Sequence, residues 1–548
     1  MVSSFLRLFL TSFVCCLPPQ NQEPAPTAPP SEDARRAARF HGLEFTDAQL
    51  TLAGPGLEEL RQGFERLGAL GAVAKLPPAI GYTVFMAGLR PDADFNGSVP
   101  RPVPATSVRP ATIEALAFAS IPELGALLRQ GAVSCEELAQ LSLSRLRRLD
   151  PKLLCVATLC EARALEQAKR LDLELAAGKD RGPLHGIPYG AKDLLDTGGV
   201  ATSFGSVIFA GRVPEADAAV IERLDAAGAV LVAKLSLGEL AWGDVWYGGK
   251  TKNPWNLEQG SSGSSAGPAS ATAAGAVVFA IGSETCGSIL SPSTICGLSS
   301  LRPTFGRVSR AGAMELAWTM DKIGPMCRSI EDVNLVFAAI VGEDARDPST
   351  LGQPLFRPTG LCAAGGRKLG YLKGAWAAPE SEAAVLASLV KLGFELEPVA
   401  LPELPISELL SILTAEASSA LDDVTRSGED ERMVRQVADA WPNVLRQGQL
   451  ISAVEYLRAQ RVRRELARQL DKILAPYDAV VHPSTHGGWL VATNLSGHPT
   501  LCAPTRRNGR GQWESLGFTG RAFSEARLFA VAEVWQRSGD AHLQHPDL

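Results

Sequence analysis

The sequence predicts an α/β fold, and two patterns carry that expectation. Short apolar runs with the look of buried strands, AVLVAKL (229–235) and VVFAIG (277–282), recur along the chain. Between them lie amphipathic helical stretches with capping residues at their starts, and strands that alternate with helices build a sheet covered by helices. A third observation cuts across this pattern. Residues 260–275, GSSGSSAGPASATAAG, have the composition of a flexible tether, yet sit in the middle of the alternating body.

The elements follow in chain order. Residues 1–16, MVSSFLRLFLTSFVCC, read as a signal peptide: one early arginine, then a short apolar core. That predicts export to the periplasm or the outside; without a working signal the location is cytoplasmic. Cys15 and Cys16 raise a lipid anchor, which Val14 disfavours because such signals prefer a small residue before the cysteine, so any membrane tether runs through this N-terminus alone. Residues 17–31 form a Pro-rich, extended linker. Residues 32–111 form a helical N-terminal extension packed on the core, with GLEELRQGFERLGAL its clearest amphipathic piece and KLPPAIGYTVF laid over a surface.

The main body spans 112–548. Ser134 and Glu137 make a capping box for a helix with a stripe of Leu138, Leu141, Leu146 and Leu149, ended by Asp150-Pro151. A second helix covers 161–177, and Asp217 caps a third that ends at Gly228. Ser452–Leu474 is a long amphipathic helix, YDAVVHP (477–483) a strand, Asn508-Gly509 a hairpin turn, and FSEARLFAVAEVW (523–535) the last helix.

Composition excludes several function classes. With 53 Lys and Arg against 59 Asp and Glu, the net charge of −6 lacks the basic excess of a nucleic-acid-binding surface. The body contains no apolar run long enough to span a bilayer. His482 and His486 have the spacing of a helical metal pair, but Pro483 disfavours the helix and no thiolate or carboxylate completes a ligand set. No CxxC pair occurs among the ten cysteines. Neither a metal nor a cofactor is expected.

Three polar features stand against the apolar background. HGIPYGAKDLLDTGG places Lys192 after a Gly/Pro-rich turn, the small-residue tract carries Ser261, Ser262, Ser264 and Ser265, and AIGSETCGSILSPST runs a buried strand into a polar loop holding Ser288. A tight loop after a buried strand suits a nucleophile and backbone N–H groups aimed at an oxyanion. In this order, and with NPWNLEQGSSGSSAGPASATAAG, NLSGHPTLCAP and GFTGRAFSEARL in agreement, the chain from about residue 112 to its end resembles the amidase signature family.

That resemblance implies one large domain with a central mixed sheet surrounded by helices. It also implies a serine nucleophile, a second serine preceded by a cis peptide bond, and a lysine base. In the family the two serines lie 24 residues apart; Ser264 to Ser288 spans 24 and Ser261 to Ser288 spans 27. The assignment is therefore Lys192 as base, Ser264 as cis-serine and Ser288 as nucleophile, with Ser265 helping to hold the lysine. The backbone N–H groups of Thr285, Cys286, Gly287 and Ser288 form the oxyanion hole. The tract then reads as a close-packed scaffold, because glycine and alanine permit chain approaches that large side chains forbid.

The expected activity is hydrolysis of a carboxylic amide, small-molecule or peptide, with no nucleic-acid partner. Two alternatives stand beside it: an A-subunit-like glutamine amidotransferase within the same family, and a non-catalytic member that binds an amide or peptide. A Ser-His-Asp reading of GSSAG (263–267) fails because TKNPWNLEQ before it is no buried strand. Three departures bear on the site. Cys286 replaces the usual glycine, Ala266 and Pro268 replace a commoner glycine and serine, and Leu290 replaces an arginine that in many members pairs with the acid at Glu284.

Overall fold

The computed structural model describes residues 32–69, 108–350 and 368–548. The readings of residues 1–16 as a signal, 17–31 as a linker and 75–85 as a surface segment lie outside the described residues, as do Cys15 and Cys16. Numbered in chain order, the strands of the central sheet are β1 (Val156–Leu159), β2 (Pro188–Lys192), β3 (Val230–Leu235), β4 (Phe279–Glu284), β5 (Ser299–Arg302), β6 (Lys322–Cys327), β7 (Lys368–Leu372), β8 (Glu395–Val399), β9 (Ala479–Pro483), β10 (Thr500–Arg507) and β11 (Trp513–Thr519). They pair in the order β1-β3-β2-β4-β6-β5-β10-β11-β9-β7-β8. β2 lies parallel to both β3 and β4, and β7 parallel to β8 and β9, while the other pairings are antiparallel. The sheet is thus mixed and surrounded by helices, the large α/β domain that the resemblance implies.

β2, β3, β4 and β6 are buried almost throughout, which explains their near-continuous apolar character. The helix Ala266–Ala273, built from the small-residue tract, is buried at every position. Its N-terminal end shows why the tract contains no bulk. Gly267 donates its N–H to the Ser236 carbonyl at 2.9 Å, and a Cβ there would sit 2.5 Å from both the Cys155 oxygen and the Ser236 nitrogen. At Gly263 a Cβ would run into the carbonyl of Gly243. No tether could live in such a space.

The helix Asp47–Gly68 has a capping box between Thr46 and Gln49 and packs against Trp441–Gly448 and Ala453–Leu474. The Ser134–Glu137 capping box is present, and Ser452 caps the long helix by accepting the Glu455 N–H.

Three local readings are corrected. The helix Cys135–Leu153 runs through Pro151, since a proline so near the end forfeits only its own N–H; the stop comes from Leu154 in the left-handed region and from Asp150 Oδ1, which accepts the N–H groups of Cys155 and Val156 at 2.8 Å. Asp217 does not cap Ala219–Ala226; it takes a bidentate pair with Arg163 and the Gly198 N–H instead. The β10–β11 turn is a wider loop in which Asn508 bonds both Gly511 and Gln512, and Gly511, not Gly509, takes the positive φ.

Gly267→Ala should destabilise the fold by about 1–3 kcal/mol, the usual cost of overpacking. A lowered midpoint in chemical unfolding would show it, whereas an unchanged midpoint would mean the tract is not close-packed.

Candidate active site

Three adjoining pieces of chain meet at the ends of β2 and β4. β2 ends at Lys192, β4 runs through Ser283 to Glu284, and the loop before Ala266–Ala273 brings in Ser264 and Ser265. Because Ala191 of β2 pairs with Ile281 of β4, the lysine and Ser283 arrive side by side. Lys192 Nζ lies 2.8 Å from Ser264 Oγ, 3.0 Å from Ser283 Oγ and 3.3 Å from the Ser283 carbonyl. Its side chain is 0% exposed. Burial draws the Lys192 ammonium down to about 7, against the opposing pull of the Asp321 and Glu284 carboxylates.

The peptide bond Gly263-Ser264 is cis. Ser264 is buried and its carbonyl accepts the N–H of Gly238 at 3.3 Å. Ser265 donates its N–H to the carbonyl of Ser288 at 3.1 Å, which binds the cis-serine loop to the Ser288 turn. The structure therefore brings Lys192, Ser264 and the Ser288 segment together. Ser261 stands apart: its hydroxyl turns to the Ser262 carbonyl and its N–H to Thr251. Ser265 meets the lysine at one remove, since its Oγ donates to the Ser283 carbonyl at 3.1 Å and accepts the Ser283 N–H at 3.2 Å. The residue that holds Lys192 directly beside Ser264 is Ser283, which the sequence reading missed.

The turn from Thr285 to Ser288 joins β4 to the helix Leu290–Cys296. Glu284 Oε2 accepts the N–H groups of Ile289 and Leu290 at 2.8 and 2.9 Å. The N–H groups of residues 285–288 take no hydrogen-bond partner among the described residues, so they are available to an anion. Gly287 carries the positive φ, +99°, and Cys286 does not, so a cysteine costs the turn nothing in backbone conformation. Burial, then the Glu284 carboxylate, push the Cys286 thiol up to about 12, which keeps it protonated and inert at neutral pH.

With an uncharged leucine at position 290, Glu284 takes its cation from across the sheet. Arg302 on β5 reaches Glu284 Oε1 at 3.1 Å, and Asn494 Nδ2 donates to the same oxygen at 2.8 Å. Arg302 also donates to Thr500 Oγ1 at 2.6 Å and to the His498 carbonyl at 2.9 Å. Burial by itself would raise Glu284, but Arg302 and the Leu290 N–H outweigh it and hold the carboxyl below its ordinary value. Glu284 is thus paired and ionised.

A second carboxylate braces the other side of the turn. Thr285 Oγ1 donates to Asp321 Oδ1 at 2.6 Å, while Asp321 Oδ2 accepts the N–H groups of Leu316 and Ala317, both at 2.9 Å. The histidines are spent on the fold: His482 lies between the Pro483 carbonyl and Thr519 Oγ1, and His486 caps Gly487–Ser496 by accepting the Trp489 N–H. Among the described residues no cluster of metal-ligating side chains occurs.

Comparison with known proteins bears on the family and the fold. The family model described as Amidase matches residues 137–501. The chain is 33% identical over 486 residues to the glutamyl-tRNA(Gln) amidotransferase A subunit of Geobacillus kaustophilus, covering 78% of this chain and 99% of that one. The structure of native peptide amidase from Stenotrophomonas maltophilia superposes with a TM-score of 0.71 at 28% identity, covering 79% of this chain and 99% of that one. The glutamyl-tRNA(Gln) amidotransferase A subunit of Thermotoga maritima superposes with a TM-score of 0.64 at 25% identity, over 80% and 99% of the two chains. On a match of this length, the chain belongs to the amidase family.

Proposed function

We propose that this chain hydrolyses a carboxylic amide through an acyl-enzyme on Ser288, with Lys192 as base and Ser264 as relay. One observation carries the reading: a fully buried amine lies 2.8 Å from the hydroxyl of a serine whose neighbour is bonded to the Ser288 main chain. An amine that titrates near 7 is largely free base at mildly alkaline pH and can accept a proton.

Lys192 takes the Ser264 hydroxyl proton as Ser264 Oγ takes the one on Ser288. Ser288 Oγ bonds to the amide carbon, and the carbonyl electron pair moves onto oxygen, facing the N–H groups of residues 285–288. When the tetrahedral centre collapses, the C–N bond breaks. The departing nitrogen then receives the Ser264 proton, which the Lys192 ammonium replaces. Water repeats the sequence on the ester and releases the acid. No cofactor takes part, and the substrate is a small-molecule or peptide amide.

A second reading, release of ammonia from glutamine in the manner of an amidotransferase A subunit, is favoured by the 33% identity to such a protein. Assaying ammonia release from glutamine and from simple amides by the purified chain separates the two. Turnover of glutamine alone, and only with added partner subunits, would favour the amidotransferase reading.

Ser288→Ala and Lys192→Ala should reduce amide turnover by at least about three orders of magnitude, as loss of a covalent catalytic unit does. Ser264→Ala should be nearly as damaging, and Ser261→Ala should change kcat less than about threefold. Fluorophosphonate labelling should map to Ser288, and an unlabelled but folded protein would point to a binding-only member. The rate should rise with pH through about 7 as Lys192 loses its proton. Asp321→Asn removes a carboxylate that favours the ammonium, so this rise should move to lower pH; a shift to higher pH would contradict the assignment of Lys192 as base.

A further inference from the structure

A second buried amine lies beneath the turn from Thr285 to Ser288. Lys322 opens β6 and is 2% exposed. In the β4–β6 ladder it stands directly opposite Glu284, so the two side chains share one face of the sheet. Among the described residues no carboxylate touches its Nζ. The amine donates to the Met320 carbonyl and, at 3.4 Å, to the Asn494 carbonyl. Asn494 leads back to the turn, since its Nδ2 donates to Glu284 Oε1 at 2.8 Å.

An ammonium buried without a contacting counter-charge costs stability, and an apolar side chain of similar length would suit the place better. Packing therefore gives no reason for a lysine here, whereas the surrounding charges do. Arg302 on β5 is matched to Glu284, and Arg463, from the helix Ala453–Leu474, is committed to Thr319 and the Leu495 carbonyl. Asp321, next in the chain, is taken up by Thr285, Leu316 and Ala317, and Glu416 by Thr319 and Tyr456. The Lys322 charge is left over, and it reaches Cys286 within the turn.

We propose that Lys322 is a positioning residue for the acyl-transfer step, a role that rests on the hydrolytic reading above: it holds Asn494 and through it Glu284, and its ammonium sets an unmatched positive charge beneath the turn that faces the substrate oxygen. Negative charge developing on that oxygen is favoured while Lys322 is protonated and loses this support when it is not. Burial, then the Arg302 and Arg463 cations, draw the Lys322 ammonium down to about 7, against the pull of Glu284 and Asp321. With one amine needed free and the other charged, the rate rises as Lys192 loses its proton and falls as Lys322 does.

The test is the pH profile of kcat for hexanamide, which carries no charge in this range, and of the rate at which a fluorophosphonate labels Ser288. Both are measured on the full chain and on two variants. The wild type should give a bell between about pH 5 and 10, the shape that one required base and one required acid produce. In Lys322→Met the alkaline fall should vanish and the optimal kcat should drop about tenfold, less than the loss of a direct oxyanion donor costs. KM should stay within about twofold, because the interaction is made in the transition state. In Lys322→Arg, whose guanidinium keeps its proton throughout, the fall should vanish while kcat stays closer to that of the wild type. Lys322→Met should also match or exceed the wild-type midpoint in chemical unfolding at neutral pH, which a merely structural lysine would not allow. Persistence of the alkaline fall in either variant, or a wild-type profile that levels into a plateau, would overturn the role of Lys322 alone. Absence of both turnover and labelling in folded wild-type protein would overturn the hydrolytic reading, and this role with it.

Discussion

The structure turns on one amine kept out of water. Lys192 closes a strand whose five residues are all buried, so its side chain has no route to solvent and must find partners inside. Three oxygens meet it, two of them neutral hydroxyls and one a backbone carbonyl. None is a carboxylate, and this choice decides the chemistry. A directly bonded acid would favour the ammonium, while hydroxyls and a carbonyl satisfy its hydrogen bonds without adding a counter-charge. The two nearby carboxylates are both spoken for by the turn, Glu284 through the N–H groups of Ile289 and Leu290 and Asp321 through Thr285, Leu316 and Ala317. They act on the lysine through space, each favouring its ammonium form.

Lys234 shows the contrast within the same sheet. It is as buried as Lys192, one strand away, but its Nζ lies 3.1 Å from Asp193 and donates to Thr202. Burial lowers both ammonium groups, but at Lys234 the Asp193 carboxylate in contact opposes it, whereas Lys192 has only hydroxyl and carbonyl oxygens in contact. Adjacent residues 192 and 193 thus serve opposite ends, since alternate residues of a strand face opposite sides of the sheet.

What the sequence made legible follows the range of the interactions. The capping boxes at Thr46 and Ser134, the buried strands β3 and β4, and the long helix Ala453–Leu474 are local and were readable from a few neighbouring residues. The choice of Ser264 over Ser261 rests on a spacing; the Lys192 amine meets the Ser264 hydroxyl, and the Ser261 hydroxyl turns to the Ser262 carbonyl. Ser283, Asp321 and Arg302 were not legible as site residues. Each acts on a group that only sheet pairing brings near: Ser283 on a lysine 91 positions away, Asp321 on Thr285 36 positions away, and Arg302 on Glu284 across β6. The Asp217 reading failed for the same reason, because Arg163, 54 residues distant, offered its carboxylate a stronger partner than a helix end.

The Glu284 carboxylate is held by partners from three parts of the chain. What the turn requires is an ionised carboxylate at 284 to gather the N–H groups of Ile289 and Leu290, while those of 285–288 take no partner among the described residues. Any buried cation that keeps Glu284 charged meets this need, wherever in the chain it originates. Arg302 does so from β5 while its other donors are anchored on Thr500 and His498, so the guanidinium is fixed from both ends. Leu290 itself packs with Leu490 and Cys502 in a small core of its own. The turn from 285 to 288 is then held from beneath by an ion pair and from the side by Asp321.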